Sequence, residues 1–317
     1  MCASFRAGIS RPVAVSDLYT IDGTEPEVVS GMAIGTLLDG YFFIARWVRM
    51  LTLLFGNNLK NCSGSVLNRT LFILCIPETA DRFLVSEGID EEYLNQHFIP
   101  NLCTNLGISL GQLKYVYQFE GLGSPFHAVC TASEKLSEGQ YDEVCIVSFD
   151  SFIEELSYEY FLEKKIAGFC LPGEAASAVY LSTKWSENAV LIENRVFADY
   201  NKDKSMGQQT ASLFIELLEN RNDVFDGDVY TDLIGDPISA SDFGCSLVIV
   251  NNKHLASTIN IVTPYSEFGY IGTATIGVFM SLASAALLKK YSKSDRIIIL
   301  SQSSRVTVGA FLISTQA

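Results

Sequence analysis

The chain has 317 residues, of which 48% are hydrophobic, and it carries a net charge of −14. This length suffices for a large core in one or two domains, and the low charged fraction of 18% favours a buried oligomer interface. Because no Lys/Arg-rich run is present, the acidic balance argues against nucleic acids and anionic membrane surfaces, both of which bind clustered cations.

The cysteines and histidines do not form the pattern of a metal site. Eight cysteines are scattered without a CxxC pair, and the three histidines lack ligand spacing. Cys75 and Cys145 stand inside apolar runs, as buried thiols of a reducing compartment do. A signal peptide is not visible, and the most apolar stretch, 41–55, contains two arginines. We therefore expect a cytoplasmic protein without a metal ion, a cofactor or a membrane span.

Short apolar runs predict buried strands, and helical periodicity predicts the helices between them. In chain order, the predicted elements are helix Asp39–Leu54, strand Leu71–Ile76, helices Glu91–Leu106 and Pro125–Glu138, strands Glu143–Phe149, Ala175–Leu181 and Val190–Phe197, helix Gly207–Asn220, strands Val229–Leu233 and Ser246–Val250, helix Ala274–Lys289, and strands Arg296–Ser301 and Val308–Ser314. The strands are continuously apolar, which favours sheets covered by helices on both faces.

Two segments of the chain repeat one order of features: a glycine turn, a helix, a strand, a loop and a strand. The first begins at Gly121–Gly123 and continues through "EVCIVSFD" to "AASAVYLS". The second begins at Gly269–Gly272 and continues through "RIIILSQS" to "VGAFLIST". This repetition predicts two pseudo-symmetric halves, 1–182 and 183–317, that together form one compact domain.

Five motifs, in order, resemble those of the thiolase fold, specifically of its β-ketoacyl synthase branch. They are "ASFRAGIS", "ASEKLSEGQYDEVCIVSFDSF", "GFCLPGEAASAVYLS", "DLIGD" and "FGYIGTATIGVFMSLASAALLKKY". The resemblance implies an α/β fold, a five-layered α-β-α-β-α sandwich made of two pseudo-repeated halves. The "DS" and "PGEAA" motifs are most similar to a divergent thiolase-like branch that is often found beside type VI secretion effectors.

The resemblance also indicates which catalytic residues have changed. Ketosynthases use a cysteine at the N-terminus of the central helix, assisted by two histidines or by a histidine and an asparagine. The nucleophile position falls on Leu122, and the first histidine position falls on Tyr270, although a phenol with an ordinary pKa near about 10 is a poor base. The second histidine position falls on Asp232 or Asp236, and residues 303–310 replace a glycine-rich loop. We therefore expect these four positions to be degenerate and the catalytic residues to be absent.

The other motif residues are interpreted as turn, cap and pocket residues. Ser124 is expected to cap the helix and Pro125 to occupy its first turn. Glu174 is expected to accept hydrogen bonds from turn N–H groups, and Tyr270 to line what is left of an acyl pocket. The full set of pocket and motif residues is Gly121, Gly123, Ser124, His127, Asp150, Ser151, Gly173, Glu174, Gly269 and Gly272.

Relatives of this type begin with a strand ahead of the "AGIS" helix, whereas this sequence begins almost on that helix. We therefore expect the first half to lack or replace one strand. By the same resemblance we expect a homodimer, or a heterodimer with a thiolase-like or ketosynthase partner, that forms through an edge strand near Glu143–Asp150.

Three functions are consistent with these observations. The first is a catalytically inactive, ketosynthase-like protein that binds other proteins as an adaptor or chaperone, with a secreted effector as one partner. The second is a non-catalytic subunit, similar to a chain-length factor, that works with a ketosynthase and an acyl carrier protein. The third is an acyltransferase or hydrolase with a non-standard nucleophile, Ser124 or Cys130, and His127 as its base.

Overall fold

The computed structural model describes residues 5–21, 26–35, 38–60, 64–79, 82, 89–164, 166, 168–219, 221, 223–302 and 307–315. Two compact units are present. The N-terminal unit comprises 9–184 and 267–278, and the C-terminal unit comprises 1–8, 185–266 and 279–317. The division into pseudo-symmetric halves at residue 182 stays a prediction.

The strands are β1 (Val13–Ile21), β2 (Pro26–Gly31), β3 (Thr70–Cys75), β4 (Lys114–Gln118), β5 (Glu143–Ser151), β6 (Glu174–Leu181), β7 (Leu191–Asp199), β8 (Asp228–Thr231), β9 (Asn260–Val262), β10 (Arg296–Ser301) and β11 (Thr307–Ser314). The α-helices are α1 (Phe43–Lys60), α2 (Gly64–Leu67), α3 (Glu91–His97), α4 (Ile99–Leu106), α5 (Ser124–Ser137), α6 (Glu155–Glu163), α7 (Met206–Leu217), α8 (Pro237–His254), α9 (Tyr265–Phe268) and α10 (Thr275–Leu288). None of these helices is long and apolar enough to cross a membrane.

The N-terminal unit contains a four-stranded sheet in the order β4-β3-β5-β6 and a separate two-stranded sheet of β1 and β2. β3 runs parallel to β4 and β5, and β6 closes the order antiparallel to β5. One face of this sheet packs on a core in which the rings of Trp47, Phe98 and Phe149 contact one another. Among the described residues the edge strands are β4 and β6, and β5 lies between β3 and β6, so Glu143–Asp150 is not itself an edge. The dimer stays a prediction.

The C-terminal unit contains a five-stranded sheet in the order β7-β11-β10-β8-β9. β10 is parallel to β8 and antiparallel to β11, as β5 is to β3 and β6 in the other unit. The two orders match strand by strand except for β7, which pairs antiparallel with β11. Among the described residues of the N-terminal unit, no strand pairs with β6 as β7 pairs with β11.

Two predicted elements differ from the structure. The predicted strand Ser246–Val250 lies inside helix α8, whose outward side includes Val248 and Ile249, 79% and 46% exposed. The apolar run there belongs to a helix surface rather than to a buried strand. The predicted helix Glu91–Leu106 is divided at Phe98 into α3 and α4, because a proline occupies the first turn of α4.

Candidate functional site

The predicted nucleophile turn lies between strand β4 and helix α5. Gly121–Gly123 form one 3-10 turn that continues into α5, and Gly121 has a φ of +54°, which favours glycine. Leu122, at the predicted nucleophile position, is half-buried in this turn. The local geometry is a sharp bend at the start of a helix, with an aliphatic side chain at the predicted nucleophile position.

Ser124 does not cap the helix as predicted. It is fully buried as the first residue of α5, and its hydroxyl donates to the carbonyl of Gln118 at 3.4 Å. Gly123 is the N-cap and provides no side-chain hydrogen bond, while Pro125 stands in the first turn as expected. His127 and Cys130 follow on α5, and both are half-buried.

Two carboxylates lie beside the nucleophile turn. Glu78 accepts a hydrogen bond from the Tyr160 hydroxyl at 2.8 Å, and its Cβ lies 3.3 Å from where a Cβ on Gly121 would be. Glu120 immediately precedes the turn, and its buried Oε2 accepts no hydrogen bond within the described residues. Burial raises the pKa of Tyr160, and the charge of Glu78 raises it further. Two glutamate side chains thus flank the glycine turn.

Several thiols of the N-terminal unit are held in their protonated form. Burial raises the pKa of Cys75, with a further contribution from the charge of Glu120. Burial likewise raises the pKa of Cys145 to about 12 and that of Cys170 to about 12. Because the thiolate is the reactive species, these cysteines are poor nucleophiles at neutral pH.

A second glycine turn, Gly272–Ala274, leads into α10 and is fixed by a buried ion pair. Asp150, at the end of β5, accepts the Thr273 N–H at 2.9 Å and the Arg82 guanidinium at 2.6 Å. Gly272 has a φ of +47°, and a Cβ there would lie 2.1 Å from Asp150 Oδ2. Burial raises the pKa of Asp150, and the charge of Arg82 opposes this rise. Asp150 is therefore a structural anchor for the start of α10.

The "PGEAA" motif contributes a second buried ion pair. Glu174 Oε2 accepts from Arg46 at 2.7 Å and from the Ser151 hydroxyl at 2.9 Å. Its Oε1 accepts the backbone N–H of Ile34 at 2.7 Å, which is the type of contact predicted for this carboxylate. Both carboxylate oxygens of Glu174 therefore accept hydrogen bonds from other groups of this chain.

Close backbone contact explains the glycines around Tyr270. The N–H of Gly173 donates to the Tyr270 carbonyl at 3.0 Å, and the N–H of Tyr270 donates to the Leu171 carbonyl at 2.8 Å. A Cβ on Gly173 would lie 2.2 Å from the Phe268 carbonyl oxygen, and one on Gly269 would lie 2.7 Å from that of Leu171.

The Tyr270 side chain is 8% exposed and belongs to an aromatic cluster. Its ring centroid lies 4.9 Å from that of Phe152 and 6.1 Å from that of Phe161. At the predicted first histidine position, the chain therefore has a packed aromatic ring.

The candidates for the second histidine position lie in the C-terminal unit. Asp232 is fully buried and accepts from the Ser301 hydroxyl at 2.6 Å and from the Gln302 N–H at 3.0 Å. Asp236 accepts the N–H groups of Ile238 and Ser239 at the start of α8. Asp232 therefore connects the end of β8 to the end of β10, whereas Asp236 binds the first N–H groups of α8. Residues 303–306, part of the loop predicted to replace a glycine-rich one, lie outside the described residues.

A cavity of about 170 Å³ lies elsewhere in the N-terminal unit. Its walls come from β1, the loop before α1 and the start of α6, and they include Leu18, Phe42, Arg46 and Glu154. Neither Leu122 nor Tyr270 lines it. The described residues contain no cluster of histidine, cysteine and carboxylate side chains suited to a metal ion.

The sequence did not point to four charged residues that define these contacts. The ion pairs of Arg46 and Arg82 could not be predicted, because their carboxylate partners are 128 and 68 residues away in the sequence. Glu78 follows β3 and Glu120 follows β4, and nothing in their sequence surroundings distinguishes them from ordinary surface glutamates. The one available signal was the pair of acidic motif residues, Asp150 and Glu174, since a buried carboxylate requires a partner.

Comparison with known proteins gives a fold but no sequence relative. No family model and no curated protein sequence matches this chain. Among solved structures, the ishigamide ketosynthase/chain length factor is similar over 100% of this chain and 94% of that chain, with a TM-score of 0.65 at 12% identity.

Other thiolase-fold structures are similar too. A complex of a type II polyketide ketosynthase, AntDE, with its acyl-carrier protein AntF matches at a TM-score of 0.57 and 16% identity, over 86% of this chain and 82% of that chain. A variant of OleA from Xanthomonas campestris matches at a TM-score of 0.56 and 17% identity, over 84% of this chain and 80% of that chain. The chain therefore has the thiolase-like fold, and the predicted α/β class is confirmed.

Proposed function

We propose that this chain is a catalytically inactive thiolase-fold protein that acts in the cytoplasm by binding other proteins. The observation that carries the proposal is the half-buried Leu122 in the glycine turn at the start of α5. Acyl transfer in this fold requires a nucleophile at that point, where the helix N-terminus stabilises negative charge. An aliphatic side chain there cannot form a thioester.

The surroundings of Leu122 support the same conclusion. The Ser124 hydroxyl is buried against a backbone carbonyl, and Cys130 lies a further turn and a half along α5. The ring of Tyr270 packs against Phe152, in the position predicted for a histidine.

Intact-mass spectrometry tests the catalytic part of this proposal. The purified chain is incubated with acyl thioesters of short, medium and long chain length at neutral pH. We expect no adduct, and a stable acyl adduct on Ser124 or Cys130 would support the acyltransferase or hydrolase instead.

To test the binding part, the tagged chain is purified from its native host. We expect a stoichiometric protein partner that survives washing, and its absence would contradict a binding role.

A non-catalytic partner subunit is the second candidate, and the ishigamide ketosynthase/chain length factor favours it, because that similarity covers the whole of this chain. On this proposal the chain would pair with an intact ketosynthase and shape its acyl tunnel. Co-expression with a ketosynthase and an acyl carrier protein from the same gene neighbourhood tests it. A change in product length supports it, and unchanged products contradict it. The net charge of −14 is unfavourable to direct contact with an acidic carrier protein.

A more specific form of the first proposal is that the chain acts as an adaptor or chaperone for a secreted effector. The motif resemblance alone supports this form. Co-expression of the chain with an effector from its gene neighbourhood tests this form. Improved effector solubility and a stable complex are the expected results, and an effector equally soluble without the chain would contradict it.

A further inference from the structure

The cavity of about 170 Å³ in the N-terminal unit is lined by both apolar and acidic residues. Its apolar wall includes Leu18 of β1, Phe42 before α1 and Ile153 before α6. Phe42 is 57% exposed although it lines the cavity, so its ring lies near the opening to solvent. A cavity of about 150 Å³ holds a molecule of the size of benzene. The space is therefore large enough for a small organic ligand with a short apolar body.

The cavity is lined by four charged residues, Asp39, Arg46, Glu154 and Glu155. Arg46 is already neutralised, because its guanidinium lies 2.7 Å from the Glu174 carboxylate. Its Nη1 donates to the carbonyls of Leu38 and Tyr41, both at 3.1 Å. The charge that the cavity presents to a ligand therefore comes from carboxylates.

Glu154 is a buried carboxylate whose contacts are all neutral. It is 6% exposed, and among the described residues it accepts hydrogen bonds from neutral donors only. Its Oε2 accepts the Phe43 N–H at 2.6 Å at the start of α1, and its Oε1 accepts the Ser157 hydroxyl at 3.1 Å in the first turn of α6. Both helix starts favour negative charge at this point.

These contacts leave Glu154 able to bind a cation. A carboxylate has about four lone-pair positions, of which the two hydrogen bonds use only part. A buried charge is costly unless it is paired, so a cation in the cavity would be stabilised by Glu154 more than by an exposed carboxylate. Asp39 and Glu155 are exposed residues of the same lining, and they extend the negative charge towards solvent. The cavity thus attracts cations and repels anions.

We propose that this cavity binds a small organic cation, an ammonium group carried on a short aliphatic or aromatic body. The ammonium donates to Glu154, and the body packs against Leu18, Phe42 and Ile153. The carboxylates of the lining discriminate against ligands that carry a carboxylate of their own. The proposal goes beyond the protein-binding function, because neither Leu122 nor Tyr270 lines the cavity.

Saturation-transfer NMR on the purified chain at neutral pH tests the proposal. The probes are phenethylamine and hexylamine, both cations at this pH, and phenylpropionate, an anion with a ring and a short chain. We expect both amines to bind with a dissociation constant below about 1 mM, and phenylpropionate not to bind. Absence of binding by both amines would overturn the proposal, and so would equal binding of phenylpropionate.

Three variants distinguish the cavity from the acidic surface as a whole. Glu154→Gln removes the buried charge but keeps an oxygen that can accept the Phe43 N–H, and it should weaken amine binding at least about tenfold. Ala33→Leu enlarges a side chain of the cavity lining without a change of charge, and it should weaken binding by a similar factor. Glu159→Gln is the matched control, because Glu159 is exposed on α6 and does not line the cavity.

The pattern across these variants decides the outcome. Circular dichroism checks that each variant is folded, and if Glu154→Gln is not, Ala33→Leu alone decides. Amine binding that is lost in the cavity variants and kept in Glu159→Gln supports the proposal. Binding that Ala33→Leu retains would show attraction to the acidic surface alone and would overturn it. An equal loss in Glu159→Gln would overturn it as well.

Discussion

The two glycine turns of the N-terminal unit have the same backbone design but different surroundings. Each begins with a glycine at positive φ, Gly121 at +54° and Gly272 at +47°, and each leads into a helix of 14 residues. The Gly272 turn is held by Asp150 and Arg82, whereas the atoms nearest to where a Cβ on Gly121 would be belong to Glu78, the first at 3.3 Å. A buried ion pair therefore fixes the Gly272 turn, whereas the turn predicted to carry the nucleophile packs against an exposed glutamate.

Removal of the Asp150 charge at the Gly272 turn should have the largest effect on the free energy of unfolding. Asp150→Asn leaves the Arg82 guanidinium buried without its counter-ion, which should lower the free energy of unfolding by about 3–5 kcal/mol. Glu78→Gln beside the other turn is the matched control, with an expected loss of about 0.5–1 kcal/mol because Glu78 is exposed. Urea unfolding measures both, and equal losses would contradict the contrast.

Substitution of Gly272 or Gly121 by alanine should show the same difference in stability between the two turns. Gly272→Ala places a Cβ 2.1 Å from Asp150 Oδ2 at a positive φ, so we expect a loss of about 3–4 kcal/mol. In Gly121→Ala the nearest contact of the added Cβ is at 3.3 Å, and the expected loss is about 1–2 kcal/mol. Thermal and urea unfolding of the pair provide the measurement. A Gly121→Ala variant as unstable as Gly272→Ala would show that both turns are equally constrained.

The smallest effect is expected at His127, on the helix that follows the nucleophile turn. His127→Ala should change the free energy of unfolding by less than about 1 kcal/mol, because the side chain is only half-buried. It should also leave thioester hydrolysis at the rate of the uncatalysed reaction. A hydrolysis rate that is well above background in the wild type and lost in His127→Ala would identify His127 as a base.

Sequence reasoning succeeded where local patterns decide structure. The order of turn, helix, strand and strand occurs twice along the chain, because its glycines and apolar runs are local signals. It failed at the Ser246–Val250 segment, where an apolar run on a helix surface resembled a buried strand. The ion pairs of Arg46 and Arg82 could not be predicted, because their partners are brought close only by the tertiary fold.

Acylation of Leu122→Cys tests the central claim most directly. If Leu122 occupies the position where a ketosynthase carries its nucleophile, a thiol there should have a lowered pKa from the start of α5 and should accept an acyl group from an acyl thioester. Intact-mass spectrometry should then show one acyl group per chain in the variant and none in the wild type, whose Cys130 on the same helix is an internal control. No acylation of the variant, or equal acylation of the wild type, would contradict the claim.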